Sequence, residues 1–403
     1  MLFRSPDIPV PSPTGNAIAT LVTTLAEGMK FRSLIFSSKP ASLKGNTPYQ
    51  RKYDIAYYSK TLKQNALDKW RILSIMKHFL MTPIRYSWRQ YAKDAADACI
   101  TLGVKCLVVE DVADFGWVIR KLKKNGIKVI LHQHAFTQRN YRTYLWKRIE
   151  RNIDKVIFVA QKTRELTEMK HGPLKVDSQI IYNGVDLQHY DPKRWLEQAN
   201  ILKRNLSFRD DQMIVTFIGR FTPAKGILEA MEGFQQLGRK DLGLLLVCGR
   251  DQHVDLNFEM RFESLKSMLV KEGFNIQYLE NIDQEEIPVF FSISDIIIVP
   301  SKSFEGLPKV VSEALAMGVP VIASDRGGIW EILSEGVNGW KILDPVSPHT
   351  IHEGLKCVIS TTNPEITRMK QLILTEDRPK MDQTKMIASF EREISSIIGY
   401  GNQ

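Results

Sequence analysis

The chain has 403 residues, 43% apolar and 25% charged, which excludes a disordered polypeptide and exceeds what one ordinary core holds. A formal charge of +10 calls for an anionic partner, whether nucleic acid, lipid head group or substrate. No apolar run reaches the roughly 18 residues of a bilayer span, so no transmembrane helix is expected. The start, Met1-Leu2-Phe3-Arg4-Ser5-Pro6, lacks the apolar region of a signal peptide. Cys99, Cys106, Cys248 and Cys357 form no Cys-x-x-Cys pair, as expected of reduced thiols in a cytoplasmic protein without structural zinc.

In chain order, residues 1–10 make a poor strand, and the loop Pro11-Ser12-Pro13-Thr14-Gly15-Asn16-Ala17 follows. Short apolar or β-branched runs then alternate with helical patterns. The first half predicts strands at 34–37, 55–58, 106–109, 127–131, 155–159 and 179–182. Two stretches among them mix basic and aromatic residues. Residues 69–93 carry Lys69, Arg71, Lys77, Arg85, Arg89 and Lys93, with no acidic residue. Residues 139–151 set Tyr141, Tyr144 and Trp146 among Arg139, Arg142, Lys147, Arg148 and Arg151. Such mixing suits anionic lipid head groups. It equally suits amphipathic helices whose stems cover a core while their charges stay solvated. No recognised nucleic-acid-binding motif is present, and nucleic acid is not expected as a partner.

The charge-rich stretch 186–212 reads as a linker and the entry to a second domain. Beyond it, strands are predicted at 214–218, 244–248, 276–279, 295–299, 319–323 and 339–342, and residues 382–398 as a final helix. Strands apolar on both faces, alternating with helices, predict two doubly wound α/β domains with parallel sheets. The boundaries expected are residues 1–185 for the first domain, 186–381 for the second, and 382–403 for a terminal helix returning to the first. Such sheets bind ligands beyond the carboxyl ends of their strands, so the residues just after each strand are the candidates.

After the strand at 214–218 comes Gly219-Arg220-Phe221-Thr222-Pro223-Ala224-Lys225-Gly226. Arg220 offers a planar fork and Lys225 a point charge to a phosphate, and Gly226 lets the backbone approach. The alternative is a surface loop with two solvated cations. After the strand at 295–299 comes Ser303-Phe304-Glu305-Gly306-Leu307-Pro308-Lys309-Val310-Val311-Ser312-Glu313. Gly306, Leu307, Pro308 and Lys309 would bring a helix start to an anion, with Pro308 in the first turn. Glu305 can accept from sugar hydroxyls, and Glu313, one turn beyond Lys309, can grip a ribose diol. Otherwise Glu305 complements the helix dipole and Glu313 is a surface charge. Phosphate and hydroxyls together suggest a sugar nucleotide. A third loop, Ser324-Asp325-Arg326-Gly327-Gly328, repeats the pattern of strand, glycines and helix.

Gly219-Arg220, Lys225-Gly226, Glu305 to Glu313-Ala314 and Asp325-Arg326-Gly327-Gly328 occur here in the order found in the retaining glycosyltransferases of family 4. The chain resembles that family from about residue 181 to 343, Asn183-Gly184-Val185-Asp186 included, and looks most like bacterial members that build lipopolysaccharide or other surface glycans. The resemblance implies a GT-B fold, two Rossmann-like domains facing a central cleft. It also implies a hexosyl transfer from a nucleotide-diphosphate sugar, UDP by family frequency, to a glycan or lipid-linked acceptor, with retained configuration and without a metal or other cofactor. Arg220 and Lys225 would clamp the diphosphate, Glu305 the hexose and Glu313 the ribose, with amides of Gly306 to Lys309 on hexose and phosphate. The family has a histidine near the transferred sugar at the strand end where His132-Gln133-His134 stands; His134 is favoured, and a positioning role suits it better than nucleophilic attack. Gly15 would line the acceptor cleft, although many members carry two adjacent glycines there. The protein is expected in the cytoplasm, with the basic aromatic stretches allowing a peripheral place on a membrane. Competing readings are a GT-B nucleotide-sugar epimerase, a non-catalytic sugar-nucleotide-binding protein, and a nicotinamide dehydrogenase, which would want a G-x-G-x-x-G after its first strand.

Overall fold

The computed structural model describes residues 2–3, 17–31, 33–38, 54–58, 83–111, 116–136, 142–250, 255–360 and 363–399. The chain divides into two compact units. One comprises Met1–Tyr182 with Met386–Gln403, the other Asn183–Lys385.

In the first unit β1 (Leu2–Phe3), β2 (Leu34–Ser38), β3 (Asp54–Tyr58), β4 (Cys106–Glu110), β5 (Lys128–Gln133), β6 (Lys155–Phe158) and β7 (Asp177–Ile180) form one sheet. Its order is β3-β2-β1-β4-β5-β6-β7 and every pairing is parallel. In the second unit β8 (Ile214–Arg220), β9 (Gly243–Gly249), β10 (Asn275–Glu280), β11 (Ile296–Val299), β12 (Val321–Ser324) and β13 (Gly339–Ile342) form a sheet of order β10-β9-β8-β11-β12-β13, again all parallel. Both orders are those of a doubly wound fold, and the order reverses between β1 and β4 and between β8 and β11. Every strand expected from the apolar runs is present, shifted by at most two residues. The short β1 was not predicted, because two residues leave no periodic signal.

The unbroken apolar runs are explained by burial on both faces. In β4, Cys106 and Val108 enter one core cluster while Leu107 and Val109 enter another. In β5, Ile130 joins the first and Val129 and Leu131 the second. A side chain as fully covered as Ile130 contributes about 1.5–3 kcal/mol by leaving water. The final helix, Gln383–Ile398, lays the stripe Met386, Phe390 and Ile394 into the cluster that holds Val108, Ile130 and Ile157. The tail is thereby part of the first unit's core.

The ends of β5 differ from expectation. It continues through His132 to Gln133, because Glu110↔His132 and Gln133↔Phe158 extend the pairing to both neighbours. His132 is therefore a buried strand residue and not part of a loop, and His134 is the first histidine beyond the strand. Gly15 lies outside the described residues, as do residues 69–82 of the first basic aromatic stretch. In the second stretch Trp146 is fully buried and stacks on His171, 5.6 Å between centroids, while Tyr144 is 62% exposed. Hence Trp146 is a core residue and not a surface aromatic; on the helix Thr143–Glu150 it lies two positions from Tyr144, on the opposite face. Among the described residues no helix is long and apolar enough to cross a membrane.

Candidate active site

Arg220 ends β8, where it pairs in register with Gly249, and its residue is exposed. Phe221 turns inward and packs on Phe258 and Phe262 at centroid distances of 5.0 and 4.9 Å. That anchor holds a short 3-10 turn, Pro223–Lys225, above the sheet. Gly226 follows at φ 73°, and a Cβ there would stand 2.1 Å from the Pro300 carbonyl oxygen. Only glycine allows the loop after β8 to press so closely on the end of β11. The Lys302 amide donates to the Ala224 carbonyl at 2.8 Å, joining the two loops again.

This contact brings Lys225 and Glu305 together. Lys225 Nζ lies 2.5 Å from Glu305 Oε1, and Ser301 Oγ donates to the same oxygen at 2.9 Å. Both charged side chains are mostly covered, at 18% and 15% exposure, so their attraction is only partly screened. The backbone of Glu305 is clamped from above by the third loop. Gly328 N–H donates to the Gly306 carbonyl at 2.8 Å, and Gly327, at φ 77°, places its Cα where a Cβ would meet Glu305 O at 1.5 Å. Gly306 and Leu307 are buried. The helix Lys309–Ala316 begins without a side-chain cap, with Pro308 as its N-cap residue at φ −69° and ψ 127°. Pro308 was expected one position further in; its extended ψ leaves it outside the first turn. The Val311 amide donates to the Pro308 carbonyl at 3.1 Å, and the Lys309 and Val310 amides precede the carbonyls of the helix itself.

Glu313 is buried and not a surface charge, with Lys309 Nζ 3.5 Å from its Oε1. The Tyr190 phenol lies close enough to feel its charge. Burial, and then the negative charge of Glu313, push the Tyr190 phenol well above its ordinary value, so it stays a donor. Lys225, Glu305 and Gly306 thus form one cluster, and Lys309, Glu313 and Tyr190 another on the helix that follows.

In the first unit His132, His134 and Glu110 meet. Glu110 Oε2 lies 2.8 Å from His132 Nδ1 and 2.5 Å from His134 Nε2, and all three side chains are almost wholly buried. Burial opposes the charge on Glu110. The His132 charge beside it, and the hydrogen bond with the His134 imidazole, outweigh it and hold the carboxyl at about 2. For His132 burial comes first, aided by His134, and lowers its value despite Glu110. Phe390 covers His132 edge-on at 4.8 Å. These three residues bring metal-ligating atoms within 4.8 Å of one another. Their oxygen–nitrogen separations are nonetheless hydrogen-bond lengths onto one shared oxygen, shorter than the spacing of ligands around a common cation.

Residues 198–371 match the family model described as glycosyl transferases group 1, and residues 49–189 match that of glycosyltransferase family 4. The chain belongs to glycosyltransferase family 4. It is an enzyme that transfers a sugar from a nucleotide-activated donor. It is similar to the lipopolysaccharide 1,2-N-acetylglucosaminetransferase of Salmonella typhimurium, 26% identical over 86% of this chain and 85% of that one. A glycosyltransferase from Rickettsia africae shares the fold with a TM-score of 0.75 at 18% identity, over 99% of this chain and 98% of that one. Anabaena HepE in complex with UDP shares it at 0.72 and 15% identity, over 98% and 99%.

In this family-4 chain, two of the loops singled out by sequence, those after β8 and β11, lie at the reversal point of the second sheet, and the third follows the neighbouring β12. Glu110, Ser301 and Tyr190 were not foreseen. Glu110 does carry a signal, an acidic residue closing the apolar run Cys106–Glu110. Tyr190 carries none, because its partner is more than a hundred residues away.

Proposed function

We propose that this family-4 enzyme moves a hexosyl group from a UDP-sugar to a hydroxyl of a surface glycan or lipid-linked acceptor, with retained anomeric configuration. The observation that carries the proposal is the Lys225–Glu305 pair at the reversal point of the second sheet. A cation and a carboxylate held side by side there suit a ligand with an anionic diphosphate next to sugar hydroxyls. Lys225 and Arg220 would take the charge that grows on the leaving diphosphate, with amides of Gly306 to Lys309 beside them. Glu305, released from Lys225 when the diphosphate arrives, would hold the hexose, and Glu313 the ribose. His134 would position the transferred sugar and His132 support it, with Gly15 at the acceptor. Cationic side chains in the metal's usual role make the reaction metal-independent, so activity should persist in EDTA.

The choice of UDP is supported by the UDP complex of the similarly folded Anabaena protein, and the acceptor class by the Salmonella transferase. Tyr144, Arg148 and Arg151, exposed on and just beyond the helix Thr143–Glu150, favour a peripheral place on an anionic membrane. The direct test is the anomeric configuration of the product: retention is expected, and an inverted linkage refutes the reading. Turnover of donor without acceptor to an epimerised sugar nucleotide would make the protein an epimerase instead. Sedimentation with vesicles should depend on their anionic lipid, and equal sedimentation with neutral vesicles removes the membrane claim.

A further inference from the structure

We propose that Glu110 is a positioning residue that fixes the ring orientation and tautomer of His134. The inference rests on the reading that His134 faces the transferred sugar.

The period of a strand explains how the three side chains meet. In β4 and β5 alternate residues share a face, and Val108 and Ile130 point to the same core cluster. Two positions further, Glu110 and His132 emerge on that face, directly opposite each other in register. Two further still, His134 falls on the same side, just past the end of β5. No loop motif is needed for this meeting, only two strands that end together.

A carboxylate can only accept, so an imidazole nitrogen that bonds to it must carry the hydrogen. The hydrogen bond to Glu110 Oε2 therefore assigns Nε2–H to His134. The main chain is fixed as well. The His134 amide donates to Asp111 Oδ1 at 2.7 Å, and the Asp111 amide donates to the His132 carbonyl at 2.8 Å. Asp111 adopts φ 60°, a conformation its short polar side chain tolerates. Two consecutive acids thus hold His134, Asp111 by the backbone and Glu110 by the ring.

The cost of this arrangement points to function. Glu110 Oε1 and both ring nitrogens of His132 are buried without a hydrogen-bond partner. Apolar residues of similar size would fill the same space without a buried charge, and strained polar burial concentrates at functional sites. A carboxylate that orients an imidazole and selects its tautomer has a known chemical effect. Removing it leaves the geometry in place and the proton on the wrong nitrogen.

The test uses the full chain labelled with 15N-histidine. Long-range proton–nitrogen spectra separate protonated from bare ring nitrogens, and the His134→Ala spectrum assigns the signals. Wild type is expected to show Nε2–H for His134. The reverse tautomer on His134 overturns the proposal without any Glu110 variant, and so remains decisive if such a variant does not fold. In Glu110→Gln the His134 pattern should be lost, and an unchanged pattern overturns the proposal. A stoichiometric metal that copurifies with wild type and is lost from Glu110→Gln also overturns it. Turnover is read with UDP-N-acetylglucosamine, UDP-glucose and GDP-mannose. Glu110→Gln should lower kcat by about 10- to 100-fold with donor KM changed less than about 3-fold, the pattern of a lost orienting partner. If His134→Ala leaves kcat unchanged, the sugar-facing role of His134 fails, and the spectra still judge Glu110. If His134→Ala lowers kcat and Glu110→Gln does not, the proposal fails alone.

Discussion

The two units place their charged groups in opposite ways. In the second unit Arg220 ends β8, and Lys225 and Glu305 stand on loops beyond β8 and β11, held by glycines and by backbone hydrogen bonds between the loops. In the first unit Glu110 and His132 lie inside strands, held by the ladder itself. A loop site is set by local sequence, and its side chains retain the freedom to exchange Lys225–Glu305 for a ligand. A strand site is rigid and dry, and suits a group whose proton must stay in place. On the proposed function, the contrast assigns capture to the second unit and orientation to the first.

The largest effect expected is on the capture side. Lys225→Ala should lower kcat by about 100- to 1,000-fold, as for loss of one preorganised donor to a developing anion, and Arg220→Ala by a similar factor. Steady-state kinetics with UDP-sugars checks this, and changes below about 3-fold in both would displace the site from these loops. Next comes the loop clamp. Gly327→Ala must move the Glu305 backbone, and a loss of about 2 kcal/mol or more in urea unfolding is expected. An unchanged midpoint would show that the loop gives way without strain, and the second unit's site would then be less fixed than its contacts imply.

Smaller effects separate the ribose cluster from the diphosphate loop. Glu313→Ala should raise donor KM about 10-fold with kcat nearly constant, and Tyr190→Phe about 3-fold through loss of the hydroxyl beside Glu313. A fall in kcat for Tyr190→Phe would place it closer to the chemistry than this scheme has it.

The smallest effect is acid sensitivity. His132 has a folded value below 6.5, so its contribution to stability is present above 6.5 and fades as pH falls through the folded value. Glu110 is depressed from 4.5 to about 2, so its contribution is present above 4.5 and lost between 4.5 and about 2. Both terms lie in the first unit. Thermal scans from pH 7 to 4 should therefore show the first unit's transition falling, and Glu110→Gln should flatten the part below 4.5. Equal sensitivity of the two units would remove this distinction.

Much of the second unit was readable in advance because its signals are local. Gly-Arg, Lys-Gly and the spaced glutamates Glu305 and Glu313 sit immediately after apolar strands, and glycines mark where backbone must approach backbone. The first unit was less readable for a physical reason. Glu110, His132 and Phe390 come from three distant segments, and the partly buried ion pair of Lys155 with Glu393 likewise joins residues far apart in the chain. Basic and aromatic composition also misled at Trp146, since a tryptophan between charges is compatible with either face of a helix until packing chooses.

The sequence by itself determined the strands, the doubly wound class and the loop residues of the second unit, because each depends on periodicity or on the chemistry of neighbouring residues. Only the tertiary structure decided that Lys225 and Glu305 share one ion pair, that Tyr190 lies beside Glu313, and that one buried carboxylate oxygen meets the His134 ring with His132 against it. Those are meetings between separate segments, and strand register and loop contact, not local propensity, bring them together.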